Sequence, residues 1–325
     1  MISAQGLTKF YGDRAAIQDL TFEIEQGEIV GFLGLNGAGK TTTLRVLACL
    51  LLPSTGRVSI NGLDIFESPH EIRKQVGFLP EVPPLYQEMT VETYLSFAGE
   101  LRGMKRRDAR HRVDEVLEIT QTADVRGEVI ANLSHGYRQR VGIGQAIVHQ
   151  PPVLILDEPI SGLDPVQIVE MRQMIRGLKG RHTILLSSHI LPEISQTCDR
   201  IIVIRDGRIV ATGREDELLS HLSSRQRLRL LVRGDKEPLQ KLVKAIDGVV
   251  KVDLQLVEPQ RRDEASLIHH LKVETSKDLR EALSREIVAA GFGLLQLTPA
   301  EPELESIFIQ LTHPREGGKG KEVLQ

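Results

Sequence analysis

The sequence predicts an α/β fold with a largely parallel sheet, interrupted by a helical insertion and followed by a smaller α+β unit. Three observations predict it. From Ile2 to about Thr212, short apolar runs of strand length alternate with helical patterns, and that alternation builds a parallel sheet covered by helices. Between Val91 and Gln150 strand signals vanish and three helical stretches follow one another. Beyond Arg225 the order becomes strand, helix, strand, strand, helix, strand, which is the ferredoxin-like pattern.

The elements follow in order. Glu28 to Leu33 reads as a buried strand, then glycines, then a helix from about Lys40. Gly56 to Ile65 carries Asn61-Gly62 between β-prone residues, a hairpin signal because both turn positions need positive φ. The helical block comprises Val91 to Gly103, Asp108 to Thr122 and Ser134 to His149, the last ended by Pro151 and Pro152. Val153 to Leu156 is an apolar strand bounded by proline and acid. A helix from about Val166 to Leu178 and strands at Thr183 to Leu186 and Ile201 to Ile204 come next. Asp206-Gly207 makes a second hairpin turn before Arg208 to Ala211.

The polar stretch His221 to Arg225 marks a boundary. After it come strand Arg227 to Arg233, helix Glu237 to Ile246, strands Val249 to Val257 and Ser266 to Thr275, helix Ser276 to Ala290 and strand Gly293 to Thr298. Pro259 to Glu264 is expected as an exposed loop, and Glu301 to Leu311 as a closing helix. The expected division is an α/β domain over 1–220 with its helical subdomain at about 90–150, an α+β domain over 225–312 and a mobile tail over 313–325.

Composition excludes several classes. The 325 residues are 41% hydrophobic, too apolar for a disordered chain. The longest strictly apolar run, Val46 to Leu52, is far short of the roughly 18 residues of a membrane span. Lysines and arginines number 41 against 44 acids, a net charge of −3, so no nucleic-acid partner is expected. The two cysteines, Cys49 and Cys198, have no paired spacing and suit a reducing compartment rather than a disulfide scaffold. The start, MISAQGLTKFYG, shows no secretory signal.

The chemistry sits in two segments. Gly34-Leu35-Asn36-Gly37-Ala38-Gly39-Lys40-Thr41 fits the phosphate loop G-x-x-x-x-G-K-[ST], after a predicted strand and opening a predicted helix. Its glycines let successive amides turn inward on phosphate oxygens, and the helix N-terminus adds partial positive charge. Lys40 would reach the β- and γ-phosphates, Thr41 would ligate Mg²⁺ and Thr42 would hold a further phosphate oxygen. The second segment is Val153-Leu154-Ile155-Leu156-Asp157-Glu158. Its two carboxylates emerge at the C-terminal end of a strand, where ligand sites of open α/β sheets lie. Asp157 would hold Mg²⁺ through water, and Glu158 would orient and deprotonate the attacking water. Alone, such an acid pair is more often a surface feature after a core strand; beside a phosphate loop that reading falls behind.

Three further segments are Leu133-Ser134-His135-Gly136-Tyr137, Ser161-Gly162-Leu163-Asp164-Pro165 and His189. Singly, each has a plain reading: a helix cap, a turn, a structural histidine. In this order and spacing the segments resemble the ATP-binding cassette (ABC) ATPases over about residues 2 to 215. The resemblance implies that Tyr11 stacks on adenine and that His189 touches the γ-phosphate and supports Glu158. It also implies that Ser134, His135, Gly136 and Tyr137 form a signature acting in trans, and that Asp164 belongs to the D-loop at a dimer seam. Two positions depart from the family pattern. The signature reads LSHGY rather than LSGGQ, and Glu81 in Gly77-Phe78-Leu79-Pro80-Glu81 stands where glutamine is usual near Mg²⁺. LSHGYRQRVGIGQA and the end Pro302-Glu303-Leu304-Glu305-Ser306-Ile307-Phe308 are similar to ATPases of ABC-2-type exporters, including those of gliding motility and nitrous-oxide-reductase maturation.

That resemblance implies an ATPase that binds ATP and Mg²⁺, dimerises around two nucleotides and drives a separate membrane permease, as an exporter. The chain would lie in the cytoplasm, peripheral on the inner face of the membrane. Val82-Pro83-Pro84-Leu85-Tyr86 is the expected groove edge for the permease. The main rival is a soluble ABC ATPase acting on ribosomes or DNA. A single phosphate loop and the lack of sustained heptads argue against it. A phosphate-loop kinase would have no use for a signature acting in trans, and an inactive scaffold would not need Lys40, Asp157, Glu158 and His189 together. His269-His270 is no chelating pair, since adjacent strand residues face opposite sides.

Overall fold

The computed structural model describes residues 1–222, 226–256 and 268–299. These fall into two compact units, the first Met1–Glu215 and the second beginning at Asp216.

The first unit contains two sheets. Strands β1 (Ile2–Tyr11), β2 (Arg14–Ile24), β4 (Thr55–Ile60) and β5 (Leu63–Asp64) form an antiparallel sheet in the order β2-β1-β4-β5. Strands β3 (Ile29–Leu33), β6 (Val76–Leu79), β7 (Val153–Leu156), β8 (Thr183–Ser188), β9 (Arg200–Arg205) and β10 (Arg208–Gly213) form the other, in the order β10-β9-β3-β8-β7-β6. All its neighbours run parallel except the β9–β10 hairpin, so the sheet is mixed. The apolar runs announced the parallel strands because both faces of β3 and β7 are buried at every position. The antiparallel sheet was less legible: β1 and β2 carry register shifts that break their alternation.

Helix α1 (Lys40–Leu47) lies in one core with residues of both sheets. Leu44 and Leu47 pack with Leu7, Leu20 and Ile60 of the antiparallel sheet and with Phe32, Ile155 and Ile202 of the mixed one. Phe22 meets Phe32 edge to face, ring centroids 5.4 Å apart, a geometry that adds about 0.5–1.5 kcal/mol to the burial. Both hairpin turns are as the sequence reads them: Asn61 and Gly62 have φ of 51° and 78°, Asp206 and Gly207 of 50° and 74°.

Short α2 (Pro69–Gln75) precedes β6. The helical block holds α3 (Val91–Leu101), α4 (Arg106–Thr120) and α5 (His135–Ile147), with one-turn 3-10 segments at Ala123–Val125 and Ile130–Asn132. Two of the three helices are capped by side chains: Thr90 caps α3 and Ser134 caps α5 by accepting backbone N–H groups, whereas α4 begins after Lys105 without a side-chain cap. Beyond the block, α6 (Pro165–Gly177) and α7 (Leu191–Ser195) complete the helices of the first unit, and α8 (Glu215–Leu222) begins at its last residue and runs into the second.

The second unit runs β11 (Gln226–Arg233), α9 (Lys236–Ala245), β12 (Val249–Leu256), β13 (Ile268–Thr275), α10 (Arg280–Ala289) and β14 (Gly293–Pro299). Its sheet, antiparallel throughout, has the order β12-β13-β11-β14, the ferredoxin-like arrangement. Leu239 and Val243, one turn apart on α9, and Leu283 and Ile287 on α10 bury against Leu230, Val232, Leu271 and Val273. Each such side chain contributes about 1.5–3 kcal/mol. The expected Pro259 to Glu264 loop, the helix Glu301 to Leu311 with its Pro302 to Phe308 motif, and the tail lie outside the described residues.

Candidate functional site

The phosphate loop is shaped by backbone crowding. A Cβ on Gly34 would stand 2.4 Å from the carbonyl oxygen of Ile204. Gly39 has φ of 110°, and a Cβ there would lie 2.7 Å from the Ala16 carbonyl oxygen. Only glycine fits either place. The β9–β10 turn supports the loop from the side: Gly207 N–H donates to the Ala38 carbonyl at 3.0 Å. Asp206 and Gly207 therefore serve the site as well as the hairpin. Helix α1 begins at Lys40 with no side-chain cap and no acid in its first turn, so its terminal amides and positive dipole end are left for an anion.

Strand β7 delivers the carboxylates beside that helix. Asp157, 1% exposed, accepts from Ser187 Oγ at 2.7 Å and from Thr41 Oγ1 at 3.2 Å. Glu158 follows in the left-handed region, φ 48°, and its N–H donates to Ser187 Oγ at 2.9 Å. Its two oxygens are divided: Oε1 lies 3.2 Å from Lys40 Nζ, and Oε2 lies 3.0 Å from His189 Nδ1. A carboxylate only accepts, so Nδ1 is the donor and Nε2 is the nitrogen left for another partner. Lys40 Nζ also donates to the Gly34 carbonyl at 2.7 Å. Glu193 stands behind His189. Burial holds its carboxyl above the usual range, the nearby Glu158 charge pushes it the same way, and the Ser188 hydroxyl partly offsets both.

Around this cluster opens a cavity of about 820 Å³. Leu35, Asn36, Gly37, Lys40, Thr41 and Thr42 of the loop line it, together with Tyr11, Arg14, Glu81, Glu158, Ser161 and His189. Ala38 of the loop is buried, and neither it nor Gly34 is among the lining residues. Tyr11 is half exposed, and Lys9 Nζ lies 5.8 Å from its ring centroid. Glu81 is exposed, and its carbonyl accepts from Gln139 Nε2 of α5.

Ser134, His135, Gly136, Tyr137 and Asp164 are not among the residues lining the cavity. Ser134 caps α5, accepting from Tyr137 N–H. Tyr137 OH donates to Asp124, which holds that phenol above its usual pKa. Asp164 caps α6, taking the N–H groups of Val166 and Gln167. The residues that sequence reasoning missed are Ser187, Glu193, Arg14 and the Asp206-Gly207 pair. A serine near the end of a strand and a glycine turn are too common to signal a site.

A phosphate loop opening a helix, with an acid pair at the end of a nearby parallel strand, defines a phosphate-loop nucleoside triphosphatase. The chain belongs to the ATP-binding proteins of ABC transporters and is an ATP-binding, ATP-hydrolysing subunit. The ABC transporter family model matches residues 17–161. The bacitracin transport ATP-binding protein BcrA of Bacillus licheniformis is 35% identical over 313 residues, 96% of this chain and 97% of that one. The linearmycin resistance ATP-binding protein LnrL of Bacillus subtilis is 31% identical over 313 residues, 96% of this chain and 98% of that one. Among solved structures, the dimeric bacterial ABC transporter cassette MJ0796 superposes with a TM-score of 0.61 at 25% identity, covering 66% of this chain and 98% of that one.

Proposed function

We propose that two copies of the chain close head to tail around two ATP molecules and thereby drive a separate membrane-spanning permease in the direction of export. One observation carries the reading. The phosphate loop, Glu158 and His189 share one cavity, whereas Ser134 and Gly136 at the start of α5 are not part of it. An exposed helix N-terminus bearing a serine is suited to a γ-phosphate, and a second copy supplies one. Moving such a pair from mostly open to mostly closed takes about 5.5 kcal/mol of differential affinity, which two nucleotides share.

Within each site Tyr11 would stack on the base, and the loop amides, Lys40 and Thr42 would hold phosphate oxygens. Lys40 then has two acceptors, the phosphates and Glu158, and its shift toward the phosphates frees Glu158 to take a proton from water. His189 orients that carboxylate through Nδ1 and presents Nε2 to the γ-phosphate side. Mg²⁺ suits the oxygens here. Thr41 Oγ1 and Asp157 Oδ1 lie 3.2 Å apart, Glu81 is on the cavity wall, and Mg²⁺ is usually held by one or two protein oxygens with waters and phosphates. Bound there, it neutralises phosphate charge.

No helix among the described residues is long and apolar enough to cross a membrane, which is compatible with a transport path built by another chain. The subunit would lie peripherally on the cytoplasmic face. Val82 and Tyr86, both exposed, follow Glu81 and form the groove edge that relays nucleotide state to the permease. The names of BcrA and LnrL, bacitracin transport and linearmycin resistance, support a cargo of that kind. The test is Glu158→Gln, which should bind ATP, dimerise with it in light scattering and lose about 10²- to 10⁴-fold in hydrolysis. With ATP it should also retain a multi-span protein from solubilised membranes at matching amounts. A variant turning over at the parent rate removes Glu158 as the base, and ribosomal or DNA-bound proteins in place of a membrane chain remove the transport reading.

A further inference from the structure

The departure at His135 has a structural counterpart. The loop after β7 runs from Glu158 to Asp164. Ser161 N–H returns to the Glu158 carbonyl at 3.2 Å, and Ser161 lines the nucleotide cavity. His135 is the first residue of α5, exposed, and its Nε2 lies 3.1 Å from the Ser161 carbonyl oxygen. A carbonyl only accepts, so Nε2 donates. The ring also covers Gly162: a Cβ there, at φ 74°, would lie 3.4 Å from Nε2. Beside it, a Cβ on Gly136 would meet the Gln167 side chain at 2.9 Å. Two consecutive signature residues thus rest on the 161–167 segment of their own chain.

We infer that His135 is a positioning residue that ties the signature helix to the loop behind Glu158 of the same chain. A glycine at this position, the usual residue of the resembled motif, has no atom that reaches the Ser161 carbonyl. Here, any displacement of the start of α5 pulls on a carbonyl three residues from the catalytic carboxylate. The link is contiguous: α5 N-terminus, imidazole, Ser161, Glu158. Resting on the head-to-tail reading, it gives each chain a route from the nucleotide its signature touches, held by the partner, to its own catalytic site. That route couples the two sites beyond their shared interface, and its loss should appear in turnover and cooperativity rather than in ATP affinity.

The experiment uses the full chain and three variants. His135→Leu keeps bulk without a donor, His135→Gly removes both, and His135→Gln keeps an N–H donor. Hydrolysis is measured against ATP concentration, and ATP binding at protein concentrations too low for dimerisation. Leu and Gly variants should lose about five- to tenfold in kcat, equivalent to about 1–1.4 kcal/mol. Their Hill coefficients should fall toward one at similar ATP affinity, and the Gln variant should recover most of the loss. A Leu variant with the parent's kcat and Hill coefficient overturns the proposal, as does a Gln variant impaired as much as Leu. ATP-driven dimerisation of Glu158→Gln is followed in parallel. If that dimer never forms, the head-to-tail reading falls, while a kcat loss in Leu rescued by Gln still places His135 on its own loop.

Discussion

Ser187 holds both carboxylate positions with one oxygen, and Ser187→Ala tests that arrangement. Its Oγ donates to Asp157 Oδ1 at 2.7 Å and accepts from Glu158 N–H at 2.9 Å, with the serine fully buried. Alanine removes both contacts. A hydrogen bond to a charged group is worth about 1.5–3 kcal/mol, and a buried N–H left without an acceptor costs about 1–3 kcal/mol. Neighbouring groups recover part of this as they shift, so the net loss should be about 2–4 kcal/mol. For a unit of this size each kcal/mol moves the melting midpoint by about 2–4 °C, giving a fall of about 5–15 °C in scanning calorimetry. Glu158 also loses the anchor of its backbone, and such misplacement should lower kcat about tenfold or more. A midpoint within about 2 °C of the parent, together with unchanged kcat, would refute the claim that Ser187 sets the positions of Asp157 and Glu158.

Two further outcomes follow from the same geometry. Tyr11→Ala should weaken ATP binding by about 1–3 kcal/mol, the usual worth of base–aromatic stacking. Tyr11→Trp should keep affinity and, since the chain has no other tryptophan, report nucleotide by fluorescence; unchanged affinity in the alanine variant would remove the stacking role. Glu28 joins the start of β3 to Arg200 of β9 through two contacts of 2.7 and 2.9 Å. Burial raises its pKa, but the Arg200 contact and the Glu25 N–H outweigh burial and hold it below the ordinary 4.5. A depressed pKa contributes stability above the unfolded value and loses it as pH falls through the folded one. Glu28→Gln should therefore be less stable than the parent at neutral pH, with the gap closing in urea titrations below about pH 4.5. A gap that stays constant into acid would show that the ion pair contributes nothing.

The local chemistry of this protein was legible in its residues. A buried strand, a glycine turn and a helix start are each decided within a few residues, so the phosphate loop could be placed without coordinates. The same holds for β7, whose four apolar residues and following acids need no distant information, and for the turns at Asn61-Gly62 and Asp206-Gly207, where positive φ selects the residue type. The ferredoxin-like order was legible too, because its strands and helices are short, regular and punctuated. The antiparallel sheet was not, since its pairing of β1 with β4 is set by contacts between segments about 50 residues apart and interrupted by bulges. The site's wiring depended on tertiary structure for the same reason. Lys40 meets Glu158, Ser187 spans Asp157 and the Glu158 amide, and His135 reaches Ser161 only after the sheet order β3-β8-β7 and the seat of α5 bring those segments together. Residue type and local spacing determine which chemistry is available; hydrogen bonds a few ångströms long between distant segments exist only once packing has placed their partners.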